Sequence, residues 1–286
     1  MNTTAWIVAA LIAAFGIARA FGTYQPAQRE SRAAAFARAV ALVLPDALRP
    51  VVTERVALRN RGAALGLVAG IATTALVLAT NDANSAQFAS PFLLIGGAFA
   101  GVAVGVALGA ARASAPLDPQ AVKYARPSAV TLDDYVAPLE RAGARIVVAL
   151  AVITVGAAIA TGAAVSGVLI GLVVLGVAAL IVFEVAGRRI VGRGQPAESP
   201  THLAWDDAVR ASVLRDMVTA PIILGADAVV VAGGALVDHL LGGSDLAQIA
   251  IVVVCVLAAA GLAIASITSN PQRYFLRRLW PAGAAA

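Results

Sequence analysis

Apolar residues are gathered into long runs along this chain, and polar or charged segments separate the runs. A helix needs ~20 apolar residues to cross the ~30 Å hydrocarbon layer of a membrane, and most of the runs have about that length. The pattern therefore predicts an all-α fold, a polytopic transmembrane bundle of seven helices: one N-terminal helix and three hairpins. The runs cover residues 4–18, 62–80, 91–111, 146–163, 165–187, 218–237 and 248–268.

The distribution of charge predicts the orientation of these helices. If the N-terminus lies outside, none of the outer segments contains lysine or arginine, and all 21 basic residues lie on the cytoplasmic side or at its boundary. That is the side on which positive residues accumulate. We therefore predict an outside N-terminus and a cytoplasmic C-terminus. The outer segments are residues 1–3, 81–90, 163–165 and 238–247.

The first run also has a feature of a signal peptide, because Ala18-Arg19-Ala20 matches the small-x-small pattern of a cleavage site. A signal peptide, however, carries its positive charge before the apolar core. In this chain no basic residue precedes the run, and Arg19, Arg29 and Arg32 follow it. That order favours an uncleaved helix.

The overall composition narrows the class of protein. The chain is 60% hydrophobic and 13% charged, with a mean hydropathy of +0.86, whereas soluble proteins average about 25% charged residues. Its basic residues flank the apolar runs and form no patch suited to nucleic acid, so we expect no nucleic-acid partner. Arginine far outnumbers lysine, and alanine, glycine and valine dominate, as in GC-rich genomes. We predict a multi-pass protein of a bacterial cytoplasmic (inner) membrane.

A polar segment precedes each predicted hairpin, and two of these segments contain similar sequences. They are Leu132-Asp133-Asp134-Tyr135-Val136 and Trp205-Asp206-Asp207-Ala208-Val209. We interpret Asp133, Asp134, Asp206 and Asp207 as a cytoplasmic repeat motif that introduces the hairpins. A weaker third copy surrounds Asp46, and whether the chain is a threefold repeat stays open. The chain is thereby divided into residues 1–21, 22–112, 113–190 and 191–286.

The polar segments also contain signals for the start of a helix. Thr131 lies three residues before Asp134, which is the spacing of a capping box. Ser199 and Pro200 have the residue types of an N-cap and of the first helical position. We therefore predict helices that begin at these two places.

The basic segment of residues 22–61 contains an amphipathic stretch. Phe36, Val40, Val43 and Leu44 lie on one helical face, opposite Arg38. Such a helix is suited to the plane of the membrane interface. A helix that packs on the cytoplasmic ends of the bundle would have the same pattern, and the sequence does not separate the two.

Glycines recur at intervals of four residues in three of the runs. Residues four apart share one face of a helix, and glycine allows a second backbone to approach closely. We expect these glycines to clamp the second and third helices within one hairpin; a homo-oligomer interface and a glycine-lined passage are the alternatives. The helix-packing glycines are Gly62, Gly66, Gly70, Gly97, Gly101, Gly105, Gly109, Gly167 and Gly171.

Asp227 is an ionisable residue near the middle of an apolar run, and Pro221 precedes it in the same run. An acid at the membrane centre costs at least ~2.5 kcal/mol on insertion scales, so it should face the bundle interior. There it would be protonated, or bonded to a group such as Thr73, Thr74 or Thr154. An ion or substrate site formed by Asp227 and Pro221 is the functional interpretation, and a polar packing contact is the alternative.

Other charged residues are explained by pairs four residues apart on one helix. Glu184 has Arg188 at this spacing, and Asp206 has Arg210. We therefore expect these two pairs to form. The opposite face of the helix that contains Asp206 is an apolar stripe, which we expect to rest on the membrane or the bundle; contact with a partner protein is the alternative. The stripe consists of Trp205, Val209, Val213 and Met217.

Residues needed for several kinds of catalysis are missing from the sequence. His202 and His239 are the only histidines and lie outside the runs, so a serine nucleophile such as Ser166 would have no histidine base within the membrane. The sole cysteine, Cys255, lies in an apolar run, and no Gly-rich phosphate loop occurs. We therefore expect no enzymatic activity, no cofactor and no metal site.

The sequence favours a non-enzymatic accessory or scaffold subunit of a membrane complex, because its predicted cytoplasmic segments are large and charged while the outer turns are short. Besides the lipid bilayer, a membrane or cytoplasmic protein such as an ATPase is the expected partner, and a homo-oligomer is an alternative. A small transporter or permease subunit that uses Asp227 is the competing hypothesis. A membrane sensor is the third.

Overall fold

The described residues of this protein, in a computed structural model, are 3–80, 90–112, 129–195, 197–242 and 273–281. They are helical and contain no strand, as the apolar runs predict. A short 3-10 turn, Leu132–Asp134, precedes the fifth helix. The helices are α1 (Thr3–Phe21), α2 (Pro26–Val40), α3 (Arg49–Thr80), α4 (Ser90–Arg112), α5 (Pro138–Ala160), α6 (Gly167–Gly192), α7 (Pro200–Leu241) and α8 (Tyr274–Leu279).

Five of these helices, α3 to α7, are long and apolar enough to cross a membrane. In α1 the apolar part is a shorter helix, residues Ala9–Phe21, and the predicted run 248–268 lies outside the described residues. Large apolar side chains on the outer faces of the helices are exposed, as expected where lipid replaces water. Examples are Leu65, Leu76, Ile153, Ile159, Val174, Leu175 and Ile181.

The helices form one bundle in which α7 is central. α3 and α4 pack side by side, α1 packs on α3, and α7 contacts α4, α5 and α6. The buried residues of α7 extend along most of its length, from His202 to Ala232. At 42 residues, α7 is about 63 Å long, roughly twice the thickness of the hydrocarbon layer. Its first half therefore projects beyond the apolar part of the bundle.

Pro221 lies inside α7 and does not end it. Proline removes one backbone hydrogen bond and usually kinks or breaks a helix. Here its ring is buried among neighbouring helices, and their packing stabilises the helix on both sides of it. The predicted run 218–237 is therefore continuous with the polar stretch before it. α7 begins as predicted, with the Ser199 hydroxyl accepting a hydrogen bond from the His202 N–H at 3.1 Å.

All described arginines lie at one end of the bundle, which we call the arginine-rich end. It consists of residues 19–61, 112, 129–145, 188–216 and 273–281. Helix α2 lies there and ends at Ala41, whose φ of 54° is left-handed. Val43 follows the helix, so the four-residue face predicted for the interface does not form. The Phe36 ring instead contacts Trp205, with ring centroids 6.2 Å apart, which favours packing on the bundle.

Candidate functional site

Asp207 joins three segments of the arginine-rich end. Its side chain is completely buried. Its Oδ1 accepts hydrogen bonds from the Tyr135 hydroxyl at 2.7 Å and from the Gln195 amide at 2.8 Å. Its Oδ2 accepts one from the Trp280 indole N–H at 2.9 Å. Because Tyr135 belongs to the first copy of the repeat motif and Asp207 to the second, the two copies meet in the structure.

Asp134 links the first copy to the C-terminal helix. Its carboxylate accepts hydrogen bonds from the N–H of Thr131 at 2.8 Å, from its hydroxyl at 2.9 Å, and from Arg278 Nε at 3.1 Å. Partial burial alone would raise the pKa of Asp134, but the bonds from Thr131 and Arg278 outweigh it and lower the pKa. The Tyr274 hydroxyl donates to the Asp133 carbonyl at 2.9 Å. The predicted capping box forms and begins the 3-10 turn.

Asp206 does not form the predicted pair with Arg210. It is buried and pairs with Arg55 of α3. Arg210 instead donates to the carbonyls of Val191 at 3.3 Å and Arg193 at 2.9 Å. The last carbonyls of a helix have no partner within it, so the end of α6 attracts Arg210 more strongly than a neighbour on its own helix does. The prediction of this pair was wrong.

The repeat motif is thus mostly interior. Asp206 is 9% exposed and Asp207 0%, so neither offers a surface to a docking protein. Asp133 is the accessible member, with 55% of its side chain exposed, and it pairs with Arg141 at 2.5 Å. The four aspartates hold together α3, α5, α7, α8 and the residues between them. We call this cluster of Asp133, Asp134, Asp206, Asp207 and their partners the aspartate junction.

Glu184 is the centre of a second ionic cluster. It accepts hydrogen bonds from Arg141 at 2.6 and 3.1 Å and from Arg145 at 2.5 and 3.1 Å. The predicted partner, Arg188, is 3.6 Å away. The stronger contacts come from α5 because it lies beside α6, so arginines near its start reach the carboxylate near the end of α6.

The glycines of α3 and α4 form a close contact between the two helices. A Cβ at Gly66 would lie 2.0 Å from the Gly101 carbonyl oxygen, and a Cβ at Gly101 would lie 2.0 Å from that of Gly66. Gly62 meets Gly105 in the same way. A Cβ at Gly70 would meet the Gly97 carbonyl oxygen, whereas a Cβ at Gly97 would first meet the Thr74 hydroxyl. Gly109 adds a looser contact, 2.9 Å from the Leu58 carbonyl oxygen. The backbones of this pair touch along most of the shared length.

Gly167 and Gly171 lie elsewhere. A Cβ at either position would meet no described atom within 4 Å. At 100° per residue they fall opposite the buried face of α6, which includes Leu169, Leu172 and Gly176. The close packing predicted for these two glycines is therefore not found in the described part of the chain.

Asp227 faces the bundle interior, as its charge required. It is 7% exposed, and its Oδ2 lies 2.7 Å from where a Cβ of Gly96 would be. Oδ2 has no hydrogen-bond partner. Thr74 and Thr154 instead donate to backbone carbonyls one turn earlier in their own helices, at 2.9 and 2.8 Å. Pro221 is buried one and a half turns before Asp227 in α7.

The partners of the aspartates were not evident from the sequence. Arg278 and Trp280 are distant from the motif along the chain, and no spacing rule connects Gln195 to Asp207, twelve residues later. One signal was present: Trp280 follows the last apolar run, and a tryptophan that packs on protein gives its N–H to an acceptor.

The fold and these contacts define a helical bundle with five helices that are long and apolar enough to cross a membrane, and with an ionic layer at one end. Within the described ranges, no three His, Cys, Asp or Glu side chains are placed to hold a metal ion. Comparison of the chain with protein-family models, with curated proteins and with solved structures finds no match.

Proposed function

We propose that this chain crosses a bacterial cytoplasmic membrane seven times, with its N-terminus outside and the arginine-rich end in the cytoplasm. The arginines of this end support the orientation, since positive residues favour the cytoplasm. The positions of α7 and α8 support the seventh crossing. α7 leaves the arginine-rich end and reaches the opposite end at Leu241, whereas α8 contacts α7 again at the arginine-rich end.

The proposed orientation predicts which positions a membrane-impermeant reagent can reach. In a chain with Cys255→Ser, we expect a maleimide to label Ala164→Cys in right-side-out vesicles and Asp46→Cys in inverted vesicles. Ala164 lies exposed between α5 and α6, and the Asp46 side chain is 94% exposed at the arginine-rich end. Each variant is the control for the other. Labelling in the reverse pattern, or of both positions from one side, would contradict the topology.

The function that we propose is that of a non-enzymatic accessory or scaffold subunit whose cytoplasmic layer binds another protein. The observation that carries this proposal is the aspartate junction. Asp207 alone binds α8, the turn before α5 and the segment after α6. Buried polar clusters with satisfied hydrogen bonds make a structure rigid and unique. A rigid cytoplasmic layer on a membrane bundle is suited to positioning a partner, with its exposed outer residues as the contact surface.

Two buried aspartates on α7 allow a direct test. Asp207→Asn alters the cytoplasmic layer, and Asp227→Asn alters the membrane part of the same helix. Each variant and the unaltered chain would be purified from native membranes in mild detergent, and proteins present in stoichiometric amount would be quantified by mass spectrometry. We expect the unaltered chain and Asp227→Asn to retain the same amount of a partner protein per chain. With Asp207→Asn we expect about tenfold less, which from near-full occupancy corresponds to a loss of roughly 2 kcal/mol or more of binding free energy.

The outcomes of this experiment distinguish the loss of a specific partner from a general loss of folding. A partner lost equally from both variants points to general loss of folding, which thermal unfolding of each variant would reveal. A chain that purifies alone in all three preparations contradicts the accessory function.

A small transporter is the second candidate, and Asp227 is the observation that favours it. A carboxyl group with an unpartnered buried oxygen between α4 and α7 is an unusual feature of a membrane helix. Pro221 lies one and a half turns before Asp227 in α7, and its missing N–H leaves the carbonyl of Met217 without a donor in the helix. Reconstituted vesicles in which Asp227→Asn abolishes ion or proton flux, while Asp207→Asn preserves it, would favour transport over the accessory function.

A further inference from the structure

A cavity of about 290 Å³ lies at the arginine-rich end among α2, α3, α4 and α7. We call the polar lining residues Arg59, Ser212, Arg215 and Asp216 the polar wall. The apolar lining residues, which include Phe36 and Phe99, are called the apolar wall. Its volume is close to the lower limit for sites that bind small molecules, ~300 Å³.

The polar wall lies where the bundle changes from charged to apolar. Arg59 precedes Gly62, the first glycine of the α3–α4 contact, by less than one turn. Arg215 and Asp216 directly precede the apolar run 218–237 of α7. Arginines at such boundaries lie at the level of lipid headgroups, with their stems along apolar surface. The polar wall is thus at headgroup level, and Phe99 lies deeper in α4, where it is 39% exposed.

The wall offers hydrogen-bond donors that the described protein groups do not use. Arg59 donates from Nη2 to Asp216 at 2.5 Å and from Nη1 to Asn60 at 3.4 Å, and each of these terminal nitrogens carries a second N–H. Arg215 uses Nε for Glu140 at 3.1 Å, which leaves its terminal nitrogens for another acceptor. Ser212 also lines the cavity. An oxygen-rich ligand that accepts hydrogen bonds from the remaining N–H groups of the two arginines would stabilise this site.

We propose that the cavity binds the phosphate of an anionic phospholipid, with Arg59, Arg215 and Ser212 as donors. Each guanidinium already faces one carboxylate, Asp216 or Glu140. The site therefore has little surplus charge, which favours a singly charged phosphodiester over a doubly charged phosphate. The apolar wall with Phe36 and Phe99 accommodates the start of an acyl chain. Arginine is well suited to this role because its planar fork binds phosphate oxygens in pairs.

The ligand class can be tested on the full chain, purified in detergent and stripped of lipid. Native mass spectrometry would be used to titrate phosphatidylglycerol, diacylglycerol with the same acyl chains, and inorganic phosphate. We expect one phosphatidylglycerol per chain, with diacylglycerol and inorganic phosphate each binding at least about tenfold more weakly. Equal binding of diacylglycerol would show that the phosphate is not recognised. Equal binding of inorganic phosphate would show a site for the free anion. Either result overturns the proposal.

Variants locate the binding within the cavity. Arg215→Gln removes charge-assisted hydrogen bonds and is expected to weaken phosphatidylglycerol binding about tenfold or more. Ser212→Leu fills the cavity without changing its charge and is expected to have at least the same effect. Arg188→Gln is the matched control, because Arg188 is 70% exposed at the same end and outside the cavity. If Ser212→Leu unfolds like the control without lipid and still binds lipid equally well, the lipid is not in this cavity.

Discussion

Leucine at position 101 is expected to prevent α3 and α4 from packing as they do in this protein. A Cβ at Gly101 would lie 2.0 Å from the Gly66 carbonyl oxygen and 3.0 Å from the Gly70 Cα. Those atoms belong to the backbone, so no side-chain rotation relieves the clash, and the helices must separate along the glycine contact. Overpacking in a core costs ~1–3 kcal/mol when side chains can adjust. Here we expect at least the upper limit of that range.

The control for Gly101→Leu is Gly171→Leu. Both changes add the same side chain to the interior of an apolar helix, but a Cβ at Gly171 meets nothing within 4 Å. The measurement is the yield of monodisperse protein in detergent and its thermal unfolding temperature. We expect a large loss for Gly101→Leu and little change for Gly171→Leu. If Gly101→Leu folds as well as Gly171→Leu, the backbone contact is not needed for assembly.

The contrast between these glycines indicates what a residue pattern can predict. Intervals of four identified the face of α3 and of α4 that carries glycine, and the two faces meet. The same interval in α6 places Gly167 and Gly171 on a face that no described helix contacts. Spacing within one helix defines a stripe. Which neighbour that stripe meets depends on the arrangement of the whole bundle.

The helical structure of the apolar runs was predictable from the sequence, because the apolar interior of a membrane allows few backbone structures. Within a membrane every backbone polar group must be bonded internally, so a long apolar run is a helix. The ends of the helices were less predictable. α3 begins at Arg49 rather than Gly62, and its first turns contain Arg55 and Arg59. These arginines pair with Asp206 and Asp216 of α7, and such pairs between distant segments have no signature in a local window.

Whether a charged residue is buried or paired was easier to predict from the sequence than which residue is its partner. Asp227 is buried, as the cost of an exposed charge in lipid required, yet two of its expected hydroxyl partners, Thr74 and Thr154, bond to their own helices. Glu184 is paired, but mainly with Arg141 and Arg145 across to α5. The requirement that a buried charge be neutralised follows from its solvation energy. The identity of the group that meets it is a property of the tertiary structure.

The largest effect at the arginine-rich end is expected from Asp207→Ala. The change removes the acceptor of three hydrogen bonds, from Tyr135, Gln195 and Trp280. Loss of the acceptor costs ~1–3 kcal/mol at a buried donor such as the Tyr135 hydroxyl and less at the half-buried Gln195 and Trp280, so we expect a total loss of stability of about 2–4 kcal/mol. Because Trp280 follows α8, we also expect α8 to detach before the rest of the bundle unfolds. Thermal unfolding and the rate of proteolysis at Arg277 and Arg278 would measure the two effects.

Two further variants show whether the effect of Asp207→Ala comes from its lost hydrogen bonds or from the loss of a negative charge. Asp133→Ala removes a neighbouring carboxylate whose side chain is 55% exposed, and exposed ion pairs contribute only ~0–1 kcal/mol. Tyr135→Phe removes one donor together with its need for an acceptor, so its cost should be about 1 kcal/mol. If Asp207→Ala is no more damaging than Asp133→Ala and α8 stays protected, Asp207 does not hold the layer together. The proposed accessory function would then lose the observation that carries it, because the rigid layer was inferred from the hydrogen bonds of Asp207.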